Sequence, residues 1–410
     1  MRRRLILTLL LSAVTANAQW QLDHETSAKV NRALDAGING GDKLKCTVRP
    51  IDPFLDFSFR FDSGYVAACP VKEFGGKPDT LIAYTRIMPE NGAPVILANA
   101  YRFPGIPASM ADRVDLSKLA NNFEMSGGFV LGEGQFKVDV LMVDNRNRFY
   151  RTHWTVKARR NRQEKGAPLT LAPNTVSSYP LYSWEGEPKK IARPGWRLTI
   201  LLDAAPMMPR SDKLRAWDRA FLLDALTSLL RQTPAESVRL IAFNLDQQRE
   251  IFRQDHFDRA GFTKLSNALS RLELGTVSYK ALGRKAGWAE MLAQLVNEQI
   301  TQPSSSDSVI FLGPAGNINA KLPQSMLNPC GTGAPQFFYL EYFPRWRLGR
   351  EFSDAIHSAV QACNGQVLKI HSPGEFAEAI RKLNEHLAVS NVPSNSSGAT
   401  TWTRESLRTN

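Results

Sequence analysis

Four cysteines are the residues of this sequence whose chemistry is easiest to anticipate. Cys46 and Cys69 lie in the first half of the chain, and Cys330 and Cys363 lie in the second. None of them has a Cys or His neighbour at the close C-x-x-C type of spacing that structural zinc sites use, so we expect disulfides. Only pairing within each half leaves two separately folding units unlinked. The sequence therefore predicts the bridges Cys46–Cys69 and Cys330–Cys363.

Motifs that carry catalysis are missing from the sequence. It contains no G-x-S-x-G elbow, no H-E-x-x-H zinc motif and no G-x-x-x-x-G-K-[ST] phosphate loop. Of the six histidines, none has a second His or Cys at ligand spacing. We therefore expect a protein that is not an enzyme and that has no cofactor.

The charge balance is basic. The chain carries 51 Lys and Arg against 39 Asp and Glu, a formal net charge of +12 at pH 7. A basic balance favours acidic partners in general. No helix-turn-helix, zinc finger or basic-aromatic signature accompanies it, so nucleic acid is not an expected partner.

The N-terminus has the pattern of a secretory signal peptide. Arg2, Arg3 and Arg4 precede an apolar run at residues 5–11, and an A-x-A site ends at Ala18. The apolar run is shorter than the roughly 20 residues that cross a bilayer. We predict Sec-type export with cleavage after Ala18, an extracytoplasmic location that is periplasmic or secreted, and no membrane span after cleavage.

At 410 residues, the chain is long enough for two domains. After a lead-in at residues 19–43, residues 44–157 show period-two alternation. Phe136, Val138, Val140 and Met142 alternate with polar residues, and a turn then leads to the returning strand around Trp154. Leu55, Phe57, Phe59 and Phe61 alternate in the same way and predict another strand. About seven short strands are typical of an all-β, immunoglobulin-like sandwich.

The second half has a different pattern. Residues 158–194 are rich in proline and predict a linker. In residues 195–387, apolar strands alternate with amphipathic helices, which predicts a doubly wound, Rossmann-like α/β domain. From residue 388 to 410, Ser, Asn, Thr and Gly dominate, and this tail is expected to be disordered.

The order of elements in residues 195–387 resembles a von Willebrand factor A domain. An apolar strand ends at Asp203, a long helix follows, a strand with an edge partner and two helices come next, and a later strand ends at Leu312 and Gly313. A β-sandwich before such a domain is similar to secreted bacterial proteins that carry a divergent A-type domain.

The resemblance implies a degenerate metal-ion-dependent adhesion site. The family binds a divalent cation with a D-x-S-x-S loop, a later Thr and a later Asp. Here the loop places Ala205 and Met207 where the family has its serines, and Gly313 where it has the second Asp. Only Asp203 and Thr276, or Ser278 in place of Thr276, remain as oxygen ligands, and Mg²⁺ needs near-octahedral oxygen ligation. We therefore expect no bound metal.

These observations favour a non-catalytic binding or scaffold protein whose partner is another protein or a component of the cell envelope. The loops at residues 204–212, 275–287 and 313–329 are the candidate contact surfaces, with Pro206, Met207, Met208, Ser278 and Asn317 as candidate contact residues. The apolar tip of the first loop is equally compatible with burial in the core. Two alternatives stay open, a carbohydrate-binding sandwich and a hydrolase with an unrecognised site.

Overall fold

The structure is a computed structural model. It describes residues 19–36, 43–103, 105, 121–178, 195–207, 214–274, 286–301, 306–316, 318, 320–331, 333–343 and 354–390. The predicted signal peptide at residues 1–18 and the part of the predicted tail from residue 391 onward lie outside these residues.

Strands of the N-terminal half, which ends at residue 178, are β1 (Gln19–Gln21), β2 (Thr47–Leu55), β3 (Phe61–Pro70), β4 (Asp79–Pro89), β5 (Val95–Phe103), β6 (Asn122–Leu131), β7 (Gly134–Asp144), β8 (Phe149–Ala158) and β9 (Val176–Ser178). They pair in antiparallel fashion into a sheet of order β1-β5-β4-β7-β8 and a sheet of order β2-β3-β6-β9. Helix α1 (His24–Ala36) packs through Val30 and Leu34 against Ile96 of β5. This half is a β-sandwich.

The hairpin of β7 and β8 shows how the sequence pattern produces the sandwich. Phe136, Val138, Val140 and Met142 are fully buried, so the apolar face of β7 lies in the core. At the turn, the Asp144 side chain accepts hydrogen bonds from the backbone N–H groups of Arg146 and Arg148. The predicted hairpin is confirmed, with Phe136 opposite Val156 in the register.

Elements of the C-terminal half, which starts at residue 195, are β10 (Trp196–Asp203), α2 (Ala216–Gln232), β11 (Ala235–Asn244), β12 (Arg249–Gln254), α3 (Arg259–Ser270), α4 (Gly287–Thr301), β13 (Ser308–Pro314), β14 (Gln336–Tyr342), α5 (Ala355–Ala362), β15 (Gln366–Ile370) and α6 (Pro373–Ser390). The strands form a third sheet of order β12-β11-β10-β13-β14-β15. Its pairs are parallel except for the antiparallel pair of β11 and β12.

Both faces of the third sheet are covered, which explains its continuous apolar strands. Ile200 and Leu202 face one core cluster, to which α2, α3 and α6 contribute, while Leu201 faces a second cluster formed with α4 and α5. The first cluster also contains residues of the sandwich, such as Phe57 and Phe59. The two halves therefore share one core.

The predicted fold class, an immunoglobulin-like sandwich followed by a doubly wound, Rossmann-like domain of the von Willebrand type, is wrong. The described residues are 41% strand and 29% helix and form three sheets, so the molecule is mostly β. Alternation of strands and helices predicts parallel pairing, whereas the predicted edge partner, β12, runs antiparallel to β11 and makes the sheet mixed. The alternation also cannot show that residues of the sandwich complete the hydrophobic core on one face of this sheet.

Both predicted disulfides are confirmed. Cys46 pairs with Cys69 at a Cα–Cα distance of 4.2 Å, and Cys330 pairs with Cys363 at 5.2 Å. Cys330 precedes β14 and Cys363 follows α5 just before β15, so both lie at the edge of the third sheet where parallel strands begin. Such bridges are typical of proteins outside the reducing cytosol, and they are consistent with an extracytoplasmic location.

The alternation around Phe57 and Phe59 does not form the predicted continuous strand. Strand β2 ends at Leu55 and β3 begins at Phe61, and residues 56–60 between them form a turn, which we call the junction loop. Phe59 has a φ of 61°, in the left-handed region. The Asp56 side chain holds the turn by accepting hydrogen bonds from the backbone N–H groups of Ser58 and Arg60.

Part of the predicted linker is packed against both halves. Thr170 donates from its backbone N–H to the Phe59 carbonyl at 2.9 Å, and Val176–Ser178 adds strand β9 beside β6. The Gln163 carbonyl lies so close to Gly374 that a Cβ at residue 374 would meet it at 1.9 Å. The remaining linker residues, 179–194, lie outside the described residues, and the domain boundaries stay a prediction.

Across the described part of the chain, no helix is both long enough and apolar enough to cross a membrane.

Candidate functional site

The edge where the parallel strands of the third sheet end is the position at which open sheets usually bind ligands. Strand β10 brings Asp203 to this edge, and the following residues lead away from it as a loop. The loop is anchored to the neighbouring strand, because the Asn244 side chain donates to the Ala204 carbonyl at 2.8 Å. The backbone therefore fixes the position of Asp203.

Asp203 is buried, with a relative exposure of 2%, and its Oδ1 has no hydrogen-bond partner among the described residues. Burial raises the pKa of the Asp203 carboxyl well above its ordinary value, and the nearby charges of Asp354 and Asp246 raise it further. A carboxyl in this environment keeps its proton to a higher pH than an ordinary Asp does. It is a poor ligand for a cation, which prefers a carboxylate.

Asp354 lies near Asp203, but its carboxylate accepts hydrogen bonds from backbone N–H groups. As the residue before α5, it accepts the His357 backbone N–H at 2.7 Å and thereby caps the helix. Its other oxygen accepts the Gly316 backbone N–H at 2.7 Å and lies 3.1 Å from the Tyr339 hydroxyl. These contacts occupy both oxygens of Asp354.

A small cavity of about 20 Å³ separates these groups. Its lining includes Asp203, Asp246, Asp354, Leu245 and Ile318. We call it the Asp203 cavity. It has room for about one water molecule, whereas pockets for small-molecule ligands usually measure roughly 300–1,000 Å³.

Gly313 is packed directly against Asp203. A Cβ at residue 313 would lie 2.7 Å from the Asp203 Cβ, so a larger side chain requires a shift of one strand. The resembled family has its second Asp at the position of residue 313. In this structure, the Asp203 side chain occupies the space that a side chain at residue 313 would need. Within the described residues, no group of three His, Cys, Asp or Glu side chains has an arrangement that could hold a metal ion.

The first candidate contact loop is folded inward where it is described. Pro206 is buried, Met207 is 2% exposed, and the Met207 backbone N–H donates to the Asp218 carboxylate at 3.0 Å. This burial favours the alternative interpretation of these two residues as core. The other candidate contact residues, Met208, Ser278 and Asn317, and the remnant Thr276 lie outside the described residues.

A larger groove, with a volume of about 490 Å³, lies between α5, β15 and α6. Its charged lining mixes both signs, with Lys369 and Lys382 against Glu375 and Glu378. Lys369 lies on the edge strand β15, and lysine on an edge strand opposes pairing with a further strand. The groove therefore lacks the features of a strand-docking site.

The junction between the halves is packed through aromatic side chains of the junction loop. Phe57 of the junction loop is 4% exposed and contacts three rings of the C-terminal half, with centroid distances of 5.6 Å to Phe221, 5.5 Å to Tyr342 and 4.9 Å to Phe376. Phe59 stacks on Phe376 as well, at 5.9 Å. Burial of a phenylalanine contributes about 1.5–3 kcal/mol, so the loop attaches the sandwich firmly to the third sheet.

At the rim of this junction, apolar side chains reach the surface. Phe54 of β2 and Trp217 of α2 meet edge-on with ring centroids 5.6 Å apart, and Trp217 is 42% exposed. Ile51 is 36% exposed on the same strand as Phe54. An irregularity in the register between residues 51 and 54 keeps both on one face, because their partners Gly64 and Asp62 are two residues apart. We call Ile51, Phe54 and Trp217 the junction patch.

Sequence reasoning missed most of these residues. An Asp followed by an amphipathic run is a helix-capping signal, and this signal could have marked Asp354. The junction patch has no such local signal, because Phe54 and Trp217 are far apart in the chain and meet only when the two halves pack together.

Comparisons with known proteins leave the family of the chain open. No family model matches the sequence, and no curated protein matches it. The resemblance to von Willebrand factor A domains is therefore untested by them.

Among solved structures, one similar chain is a glycosyl hydrolase family 2 member from Bacteroides cellulosilyticus, with 11% identity and a TM-score of 0.20 over 78% of this chain and 37% of that chain. Another is Bacteroides uniformis beta-glucuronidase 2, with 9% identity and a TM-score of 0.19 over 72% of this chain and 36% of that one. This chain thus spans little more than a third of either. Likeness at such TM-scores carries no inference about fold or function.

Proposed function

We propose that this chain is an exported, non-catalytic binding or scaffold protein that contacts another protein or a component of the cell envelope. The signal-peptide pattern at residues 1–18 and the two disulfides support export. The Asp203 cavity lies where an open sheet usually binds its ligand, and its volume of about 20 Å³ among the described residues is that of about one water molecule.

The junction patch carries the proposal. Exposed tryptophan and isoleucine side chains grouped at one place are typical of interaction sites, and Trp is enriched among residues that dominate binding energy. The patch takes Ile51 and Phe54 from the sandwich and Trp217 from helix α2. A partner that binds it recognises both halves at once.

The test starts with crosslinking of the tagged mature protein to an envelope fraction, followed by identification and purification of the captured partner. Trp217→Ser is expected to weaken the affinity for the purified partner at least 30-fold, the loss typical of a central aromatic contact of about 2 kcal/mol. Trp20→Ser is the matched control, because Trp20 is also 42% exposed but lies on β1, in the sheet of the sandwich that does not contain Phe54.

Two outcomes oppose the proposal. Equal binding by the parent and the Trp217→Ser variant shows that the patch is not the contact surface. Retention on envelope polysaccharide without any protein partner, or turnover in a general hydrolase screen, shows that the class of function is different.

A further inference from the structure

The junction loop contains a charged cluster beside its aromatic contacts. Arg60 lies between two carboxylates, with its Nε 3.4 Å from Asp56 in the loop and its Nη2 3.2 Å from Asp224 on helix α2. The side chains of Arg60, Asp56 and Asp224 are 16%, 4% and 14% exposed. One guanidinium therefore faces two largely buried carboxyls, and one of these belongs to the opposite half.

The two carboxyls are not equivalent. Asp56 also accepts the backbone N–H groups of Ser58 and Arg60 and the Ser58 hydroxyl, so its negative charge is well solvated by donors. For Asp224, the contact with Arg60 is the one hydrogen bond that the structure shows among the described residues. Of the two carboxyl groups, Asp224 is therefore the one whose negative charge receives less stabilisation from hydrogen-bond donors.

Electrostatics agree with this geometry. Burial, together with the charge of Asp56, raises the pKa of Asp224 to about 8, although Arg60 and Arg231 act in the opposite direction. Arg231 lies on α2 itself. Helix α3, which packs on α2, bears Arg259 and Lys264, and strand β13, which also contacts α2, bears no ionisable side chain. Helix α6 reaches the end of α2, where the Asn384 side chain donates to the Gln232 carbonyl.

We propose that Asp56, Arg60 and Asp224 form a pH-sensitive latch, which holds the two halves together in acidic and neutral solution and loosens in mildly alkaline solution. When the junction is closed, Asp224 keeps a proton that it gives up when the junction opens to water. The closed state therefore binds more protons than the open state between the ordinary pKa of Asp, near 4, and about 8. Raising the pH through this range favours opening.

The direction follows from linkage. Each pH unit in the range changes the opening equilibrium by up to about tenfold, because one proton is released per opening. Above about pH 8 the closed state has lost its proton as well, and the effect levels off. The aromatic contacts of Phe57 and Phe59 do not titrate, so they set the strength of the junction but not its response to pH.

Amide hydrogen exchange of the intact protein tests the latch, with protection factors corrected for the intrinsic effect of pH. We expect the protection of peptides covering residues 54–61 and 217–224 to fall at least tenfold between pH 6 and pH 8. The hairpin at residues 134–158, which belongs to the sheet of the sandwich that does not contain β2 and β3, is the internal reference and is expected to change little.

Asp224→Asn removes the titrating group while it keeps the size of the side chain. In this variant the loss of protection at the junction is expected to disappear. Asp203→Asn is the matched control, because it removes another buried carboxyl outside the junction, and the pH response at residues 54–61 is expected to persist. Arg231→Gln is a milder variant that is expected to move the response to higher pH.

Equal protection of the junction peptides of the parent at pH 6 and pH 8 overturns the latch. An unchanged pH response in Asp224→Asn overturns it as well, since the response then belongs to another group.

Discussion

The Asp203 cavity and the junction both contain buried carboxyl groups, and the two places differ in what surrounds these groups. At the Asp203 cavity, Asp203 is near Asp354 and Asp246, whose charges act in the same unfavourable direction as burial. At the junction, Asp56 and Asp224 share the guanidinium of Arg60. The first arrangement favours the neutral form of the acid, whereas in the second a single proton changes the balance of charge.

The two places also differ in access. The cavity has room for about one water molecule, although it lies where a ligand site is expected in an open sheet. The junction lies between the halves, and its rim exposes Trp217 and Ile51. Position in a fold is therefore a weaker guide to function than the side chains and the space that are actually present.

The largest effect is expected from Phe57→Ala at the junction. Phe57 contacts Phe221, Tyr342 and Phe376, and replacement of a buried phenylalanine by alanine costs about 3–5 kcal/mol. Denaturant unfolding at pH 6 is the measurement. Phe252→Ala on the edge strand β12, where the ring is half-buried, is the control and is expected to cost less. A loss below about 1 kcal/mol for Phe57→Ala shows that the junction is loose.

A smaller effect of opposite sign is expected from Asp203→Asn at the cavity. Because the pKa of Asp203 is raised in the folded state, folding takes up a proton, and the parent loses stability as the pH rises from about 4 toward that raised pKa. The asparagine variant avoids this loss. We expect similar stability of the two proteins at pH 3 and a more stable variant at pH 7, measured by denaturant unfolding across this range.

Asp258→Asn provides the reference of opposite sign for that series. Asp258 caps α3, and the hydrogen bond from the Gly261 backbone N–H lowers its pKa, so its charge favours folding above about pH 4. The variant is expected to be less stable than the parent at pH 7. A destabilised Asp203→Asn protein at pH 7 contradicts a neutral Asp203.

The smallest effect is expected from divalent cations. A ligand at a hundredfold its Kd stabilises a protein by about 2.7 kcal/mol, whereas millimolar Mg²⁺ or Mn²⁺ is expected to leave the thermal stability of this protein nearly unchanged. A clear rise in Tm that is lost in Asp203→Ala reveals a cation site and makes the cavity, rather than the junction, the functional centre.

Local patterns predicted individual features of the fold, although not the fold class. The alternation in residues 136–156 specified the β7 and β8 hairpin, because one face of each strand is buried and the other is not. The cysteine positions specified both disulfides. These features depend on residues that are near each other in the chain or in the same half.

Features that depend on the packing of the two halves were not predicted. Phe57 and Phe59 alternate with polar residues as in a strand. Their apolar side chains instead belong to the junction loop, which is buried against the C-terminal half. For the same reason, the sequence did not show that the third sheet shares its core with the sandwich. The pairing of Arg60 with Asp224 joins residues that are 164 positions apart, and no local spacing indicates it.

A double-mutant cycle between Phe57 and Phe376 tests most directly whether the halves form one packed unit. Phe57 lies in the junction loop and Phe376 in α6, and their ring centroids are 4.9 Å apart. Unfolding free energies of the parent, Phe57→Ala, Phe376→Ala and the double variant are expected to give an interaction energy of about 0.5–3 kcal/mol. Losses that add to within about 0.3 kcal/mol contradict the shared core and, with it, the account of the junction.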